Sequence, residues 1–246
     1  MLERLRSWRG LARSLRVYRL DRQHLASLTA FYAELLSDDA LVFDIGAHLG
    51  DRIAVARRLG ARVVAVEPQP GPMRLLRLLH GRDEAVTLLQ AAVGAAEGTA
   101  RLHVNRANPT VSTLSSELAD TAALAETWQG QRWDGAIDVP VTTLDALIAQ
   151  HGRPDFIKID VEGFEAEALS GLSAPVPLLS FEVTMVMRAA GIAALDRAAE
   201  LGFQSFRLSL GESHAWHADW EDAAATRIQL QELPDSANSL DVYARP

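Results

Sequence analysis

The stretch "VFDIGAHLGD", Val42 to Asp51, decides how the rest of the chain is read. An apolar run carries the acid Asp44, and two glycines follow four residues apart, Gly46 and Gly50. That order describes a buried strand, a tight turn and a helix start. In an open α/β sheet, ligands sit beyond the carboxyl ends of strands, where the strand order reverses. Gly46 lets the backbone turn sharply and approach a ligand without a Cβ in the way. The dinucleotide fingerprint G-x-G-x-x-G is missing, because the spacing is G-x-x-x-G with His48 inside it. A pyrophosphate would also be a poor neighbour for Asp44.

Seventeen residues past Gly50, Glu67 closes the run "RVVAVE" and Pro68 follows it. An acid at that strand end can accept both hydroxyls of a ribose. Asp44 and Glu67 together suit a nucleoside bearing an amino acid and no phosphate, which points to S-adenosylmethionine. A nicotinamide cofactor, serving an NAD-dependent oxidoreductase on the same kind of sheet, is the alternative, with the absent fingerprint against it. A non-catalytic scaffold of the same shape is the third reading.

The bulk numbers agree with one large α/β domain: 246 residues, 48% hydrophobic and 23% charged. Apolar stretches are broken by charged residues, Gly or Pro before 18 residues, so no membrane span is expected. Arg recurs through the first twenty residues, against a cleavable signal, and the chain has no cysteine. A cytoplasmic protein is expected. Net charge is −8, but residues 1–22 hold seven Arg against Glu3 and Asp21, which leaves the remainder at −13. A body that acidic argues against a nucleic-acid partner. Leu2, Leu5, Trp8, Leu15 and Tyr18 recur at helical spacing, predicting a basic amphipathic helix packed on the domain, with membrane-surface contact as the lesser alternative.

A second helix is expected over 23–36, so residues 1–37 read as a helical extension of a domain over 38–246. Strands are expected at 41–44, 62–67, 86–93, 99–105, 155–160, 177–183, 204–209 and 239–244, with a short one before Thr143. Helices of about ten residues separate most of them, which implies a mainly parallel sheet covered on both faces.

"VFDIGAHLGD", "VVAVEPQP", "LLQAAVG", "STLS", "VTTLDALI" and "DFIKIDVEGFEAEALSGL" occur in the order seen in FkbM-type methyltransferases, which the chain resembles from about Leu41 to Val183. The resemblance implies a class I, Rossmann-like, doubly wound fold: seven strands, mostly parallel, with the last one antiparallel. It implies S-adenosylmethionine as cofactor and methylation of oxygen on sugars, glycans or small secondary metabolites. The family's cofactor positions fall on Asp44, Gly46, Gly50 and Glu67. His48 stands where many members have Asn.

Methyl transfer from a sulfonium is an in-line displacement that needs the acceptor oxygen ~3 Å from the methyl carbon and a group to take its proton. Candidates therefore lie at neighbouring strand ends. Asp160 ends "FIKID" and is read as a cofactor- or acceptor-positioning acid. Glu162 is read as a base, or as a helix-turn acid stabilised by the dipole alone. Lys158 alternates into a buried strand and should find an acidic partner, with an acceptor contact as the lesser role. Glu182 closes "LLSFEV" at the same rim and should meet a hydroxyl, a metal or an Arg. Asp160, Glu162 and Glu182 are hard oxygen ligands suited to magnesium, though nothing in the spacing demands a metal. His48 could serve as a base, but its loop position favours a contact to the cofactor or a neighbouring strand end. Gln90, Ala91 and Ala92 follow the third strand, where the adenine ring would lie. Trp128, Trp133, Trp216 and Trp220 fall in irregular segments and either stack on a sugar or pack on the core. "HAWHADW" at 214–220 reads as a polar loop.

Overall fold

A computed structural model describes residues 21–122, 125 and 128–246. The basic helix expected within residues 1–22 lies almost wholly outside the described residues. The described chain begins with Asp21, whose carboxylate caps helix α1 (Arg22–Ala33) by accepting the amides of Gln23 and His24.

The strands follow in order: β1 (Leu41–Ile45), β2 (Arg62–Val66), β3 (Val86–Leu89), β4 (Ala92–Val93) and β5 (Gly98–Val104). Then come β6 (Gly135–Thr142), β7 (Phe156–Ile159), β8 (Leu178–Thr184), β9 (Ser205–Leu210) and β10 (Ser239–Arg245). Seven of them form one sheet in the order β3-β2-β1-β7-β8-β10-β9. Neighbours from β3 to β8 run parallel, and β10 is antiparallel to both β8 and β9. This is the seven-stranded, mostly parallel sheet with an antiparallel last strand that the resemblance implies.

Its central strands are apolar on both faces because both are covered. Phe43, Ile45, Val64, Val66, Ile157 and Ile159 pack into one layer, while Val42, Val63, Ala65 and Phe156 pack into the other. Leu28, Phe31 and Tyr32 of α1 belong to that second layer. The described part of the expected N-terminal extension thus packs on the sheet. No helix among the described residues is long and apolar enough to cross a membrane.

The run 86–93, expected as one strand, divides. After Leu89 the chain leaves the main sheet, and Ala92–Val93 pairs with Val141–Thr142 in a small sheet of order β4-β6-β5. An apolar run signals burial and cannot show that the strand changes partner midway. The strand before Thr143 is also longer than expected, since β6 begins at Gly135 to match β5 across the hairpin.

Strand order reverses at β1, which has β2 on one side and β7 on the other. The carboxyl ends of β1, β2, β7 and β8 therefore meet around one cleft. Against β8, the helix Arg188–Leu201 packs so closely that a Cβ on Gly191 would lie 2.2 Å from Val183 Cγ1. Gly191→Ala should therefore lower stability by about 1–3 kcal/mol by urea unfolding, overpacking outweighing the ~1 kcal/mol helix-propensity gain. A more stable variant would contradict this packing.

Candidate active site

The turn after β1 is held by backbone. The amides of Gly46 and Ala47 both donate to the Val66 carbonyl, at 2.9 and 3.0 Å, and Asp160 N–H donates to Ile45 O at 2.9 Å. Gly46 has a φ of +86°, and a Cβ there would lie 1.8 Å from the Asp160 carbonyl oxygen. Only glycine fits both the conformation and the contact. Helix α2 (Asp51–Arg58) starts at once, with Gly50 as its N-cap.

Glu67 stands just past β2 and is only 2% exposed. Its Oε2 accepts the His48 amide at 3.0 Å, and its Oε1 accepts the Gln69 amide at 2.7 Å. Both oxygens are thus fixed in place with lone pairs to spare. Burial raises its pKa to about 7. His48 contributes its main chain to this arrangement, at a φ of 43°, and burial pushes its imidazole down to about 4. The ring is therefore neutral at pH 7. Asp44 lies behind the turn at 2% exposure, with Oδ2 unpartnered among the described residues and a pKa raised to about 7 by burial.

The opposite wall comes from the turn after β7. Glu165 Oε1 accepts the amides of Val161 and Gly163, at 3.1 and 3.2 Å, which tightens "DVEGFE" and holds Glu162 at a φ of 55°. Asp160, Glu162 and Glu182 each bring a carboxylate oxygen within 4.8 Å of the others. Strand β8 runs on to Thr184, so Glu182 lies inside the strand and not at its end. The pKa values of Glu162 and Glu182 are both raised well above the ordinary range, by burial first and then by the Asp160 carboxylate.

Lys158 is buried among these acids. Its Nζ donates to Asp241 Oδ1 at 2.7 Å and lies 3.4 Å from Asp160 Oδ2. Burial alone would lower its pKa, but Asp160 and Asp241 hold it above its usual value. It lies outside the cleft wall and ties the ends of β7 and β10 together. Arg52 is the wall's cation, 3.3 Å from Asp51, 3.6 Å from Glu212 and 4.0 Å from Asp160.

The cleft has a volume of about 480 Å³ and is lined by Gly46, His48, Glu67, Pro68, Ala91, Ala92, Asp160, Glu162 and Glu182 among others. Asp44, Gly50 and Lys158 support it from behind. Gln90 departs from the expected placement, since its side chain accepts from Arg77 at the surface, 3.2 Å away. The two tryptophan pairs divide. Trp128 lines the cleft, with Trp133 stacked on it at 6.2 Å. Trp216, partly buried, packs against the core on Phe31 and Tyr243 beneath Arg207.

Other wall residues are brought in by pairing between segments distant in sequence. Gln69 donates to the Pro109 carbonyl at 2.9 Å and accepts from Ser112 at 3.1 Å, and Thr113 donates to the Glu162 carbonyl at 2.6 Å. Ser112 and Thr113 belong to the "STLS" of the resemblance. They close segment 109–113 over the Glu67 side of the cleft. Arg52 and Glu212 complete the rim.

The family profile of the methyltransferase FkbM domain matches residues 44–225, and the chain belongs to this family of methyltransferases. None of the curated protein sequences matches it. Among solved structures, it is similar to a precorrin-6Y C5,15-methyltransferase from Geobacter metallireducens, at 12% identity over 90% of this chain and 86% of that one, with a TM-score of 0.43. A TehB-like SAM-dependent methyltransferase from Corynebacterium glutamicum shares 10% identity over 89% and 86% of the two chains, with a TM-score of 0.45. Aeropyrum pernix fibrillarin, with natively bound S-adenosyl-L-methionine, shares 11% over 88% and 73%, with a TM-score of 0.44.

The buried acids have a consequence for pH. Asp44, Glu67 and Glu165 keep protons up to about pH 7 when folded, against ordinary values of 3.8 and 4.5. The folded state then binds more protons than the unfolded one in between, so stability falls as pH rises. His48 acts in the opposite sense but is one group against three. The ligand-free chain should have a lower urea midpoint at about pH 7 than at about pH 5, and Asp44→Asn should narrow the difference. A midpoint that rises over this interval would contradict the protonated state of these acids.

Proposed function

We propose that the cleft binds S-adenosylmethionine and that the chain transfers its methyl group to a hydroxyl oxygen of a sugar, glycan or small secondary metabolite. The observation that carries this reading is the acidic lining of the wall, which a cationic ligand draws into its ionised form. Asp51, Glu67, Asp160, Glu162, Glu182 and Glu212 line it against the single guanidinium of Arg52 among the described residues. Such a surface favours a ligand bearing ammonium and sulfonium charges and disfavours a pyrophosphate, which argues against a nicotinamide dinucleotide. It equally disfavours a nucleic-acid acceptor.

The residues fit the cofactor. Glu67 offers two carboxylate oxygens, each already oriented by a backbone amide, as a ribose diol requires. Ala91 and Ala92 leave space at the end of β3 for a flat ring, and Gln69 with Ser112 holds the cover over it. A cleft of about 480 Å³ lies in the ordinary range for ligands of this size. When bound, S-adenosylmethionine supplies an electrophilic methyl group on a cationic sulfur.

The chain's own residues then orient the acceptor and take its proton. Glu162 and Glu182 are the carboxylates for that step, and a cationic ligand beside them favours their ionised form. Asp160, fixed by Lys158 and by its own amide, positions the acceptor. Trp128 offers an aromatic face for a sugar ring.

Glu67→Ala removes charge-assisted hydrogen bonds of roughly 1.5–3 kcal/mol and should weaken S-adenosylhomocysteine binding about tenfold to a hundredfold by calorimetry. Unchanged affinity would remove Glu67 from the ribose. Failure of the unaltered chain to bind the compound would overturn the proposed function.

A further inference from the structure

We propose that Asp160, Glu162 and Glu182 bind one hard divalent cation (magnesium, manganese or calcium) in the cleft. Three elements converge to make the site: the end of β7, the turn after it, and the outer part of β8. One carboxylate oxygen from each lies within 4.8 Å of the others.

A second observation points to a ligand at the cluster. Glu162 is only 8% exposed, yet its carboxylate has no hydrogen-bond or ion-pair partner among the described residues. Its main-chain carbonyl is taken by Thr113 from behind, and the side chain is turned into the cluster. A buried, unpaired carboxylate is costly, and proteins keep one where a proton or a cation completes it.

The cations already present do not complete it. Lys158 is engaged by Asp241 at 2.7 Å and by Asp160 at 3.4 Å. Arg52 is shared among Asp51, Glu212 and Asp160. Neither makes an ion pair with Glu162 or Glu182.

The donor set selects the ion. It is all carboxylate oxygen, with no imidazole in the cluster and no cysteine in the chain. Such a set suits magnesium, manganese or calcium and not zinc. Three carboxylates leave coordination positions open, since hard cations take about six or more oxygens. The Thr184 side chain, 4% exposed, and Ser239 border the same part of the cleft.

What fills the open positions rests on the methyl-transfer reading above. A cation there would hold two oxygens of a vicinal diol and make the bound hydroxyl easier to deprotonate. Glu162 and Glu182 would each bind the cation through one oxygen and keep the other to take the hydroxyl's proton, and the diol would be the acceptor class.

The test uses manganese alone, with no cofactor or acceptor, followed by electron paramagnetic resonance of the free ion. The unaltered chain should bind one Mn2+, displaced by excess magnesium or calcium. Glu162→Gln and Glu182→Gln should each weaken binding at least tenfold, while the exposed Asp138→Asn should not change it. Thermal unfolding checks that each variant is folded, and the unaltered chain decides the matter even if one is not. No stoichiometric Mn2+ in the unaltered chain overturns the site, as does an affinity in both variants unchanged from that of the unaltered chain. S-adenosylhomocysteine binding is measured separately. Its loss with Mn2+ retained would overturn the methyl-transfer reading alone, and the converse would overturn the cation site alone.

Discussion

The contact between Gly46 and the carbonyl of Asp160 sets the geometry on which the cleft depends. A single added methyl group at Gly46 would stand 1.8 Å from that oxygen, so the turns after β1 and β7 are pressed together with no side chain between them. One turn carries the His48 amide that fixes Glu67, and the other carries Asp160 and Glu162. The sheet's order brings these turns side by side. The close approach then turns proximity into one wall with Glu67 at one end and a carboxylate cluster at the other.

Placing so many acids at the ends of parallel strands is costly, and the chain offsets the cost unevenly. Lys158 and Arg52 neutralise Asp160, Asp241, Asp51 and Glu212. Glu67 is stabilised by amides and not by a cation. Asp44, Glu162 and Glu182 are left without an ion pair among the described residues, and burial raises the pKa of each. An apolar replacement would be cheaper for folding, so the placement of these acids fits a cleft whose ligands bring positive charge.

The sheet was legible because its central strands are covered on both faces and read as short apolar runs between turns. Asp44, Glu67, Asp160 and Glu182 were legible because they sit on or beside those runs, where residue type and position carry the chemistry. What was hidden depends on long-range pairing. Nothing local announces that Gln69 meets Ser112, that Thr113 holds Glu162, or that Glu212 shares Arg52. The division of 86–93 between two sheets was hidden for the same reason, since periodicity gives the face of a strand and not its partner. Gln90 follows β3 directly, so adjacency points it at the cleft, but the chain turns there and its side chain meets Arg77 outside.

A crystal structure of the chain with S-adenosylhomocysteine tests the central claim most directly. The account predicts both ribose hydroxyls within hydrogen-bond distance of the Glu67 carboxylate, the adenine beside Ala91 and Ala92, and the sulfur facing Asp160 and Glu162. A nucleoside bound away from Glu67, or no binding in this cleft, would contradict it.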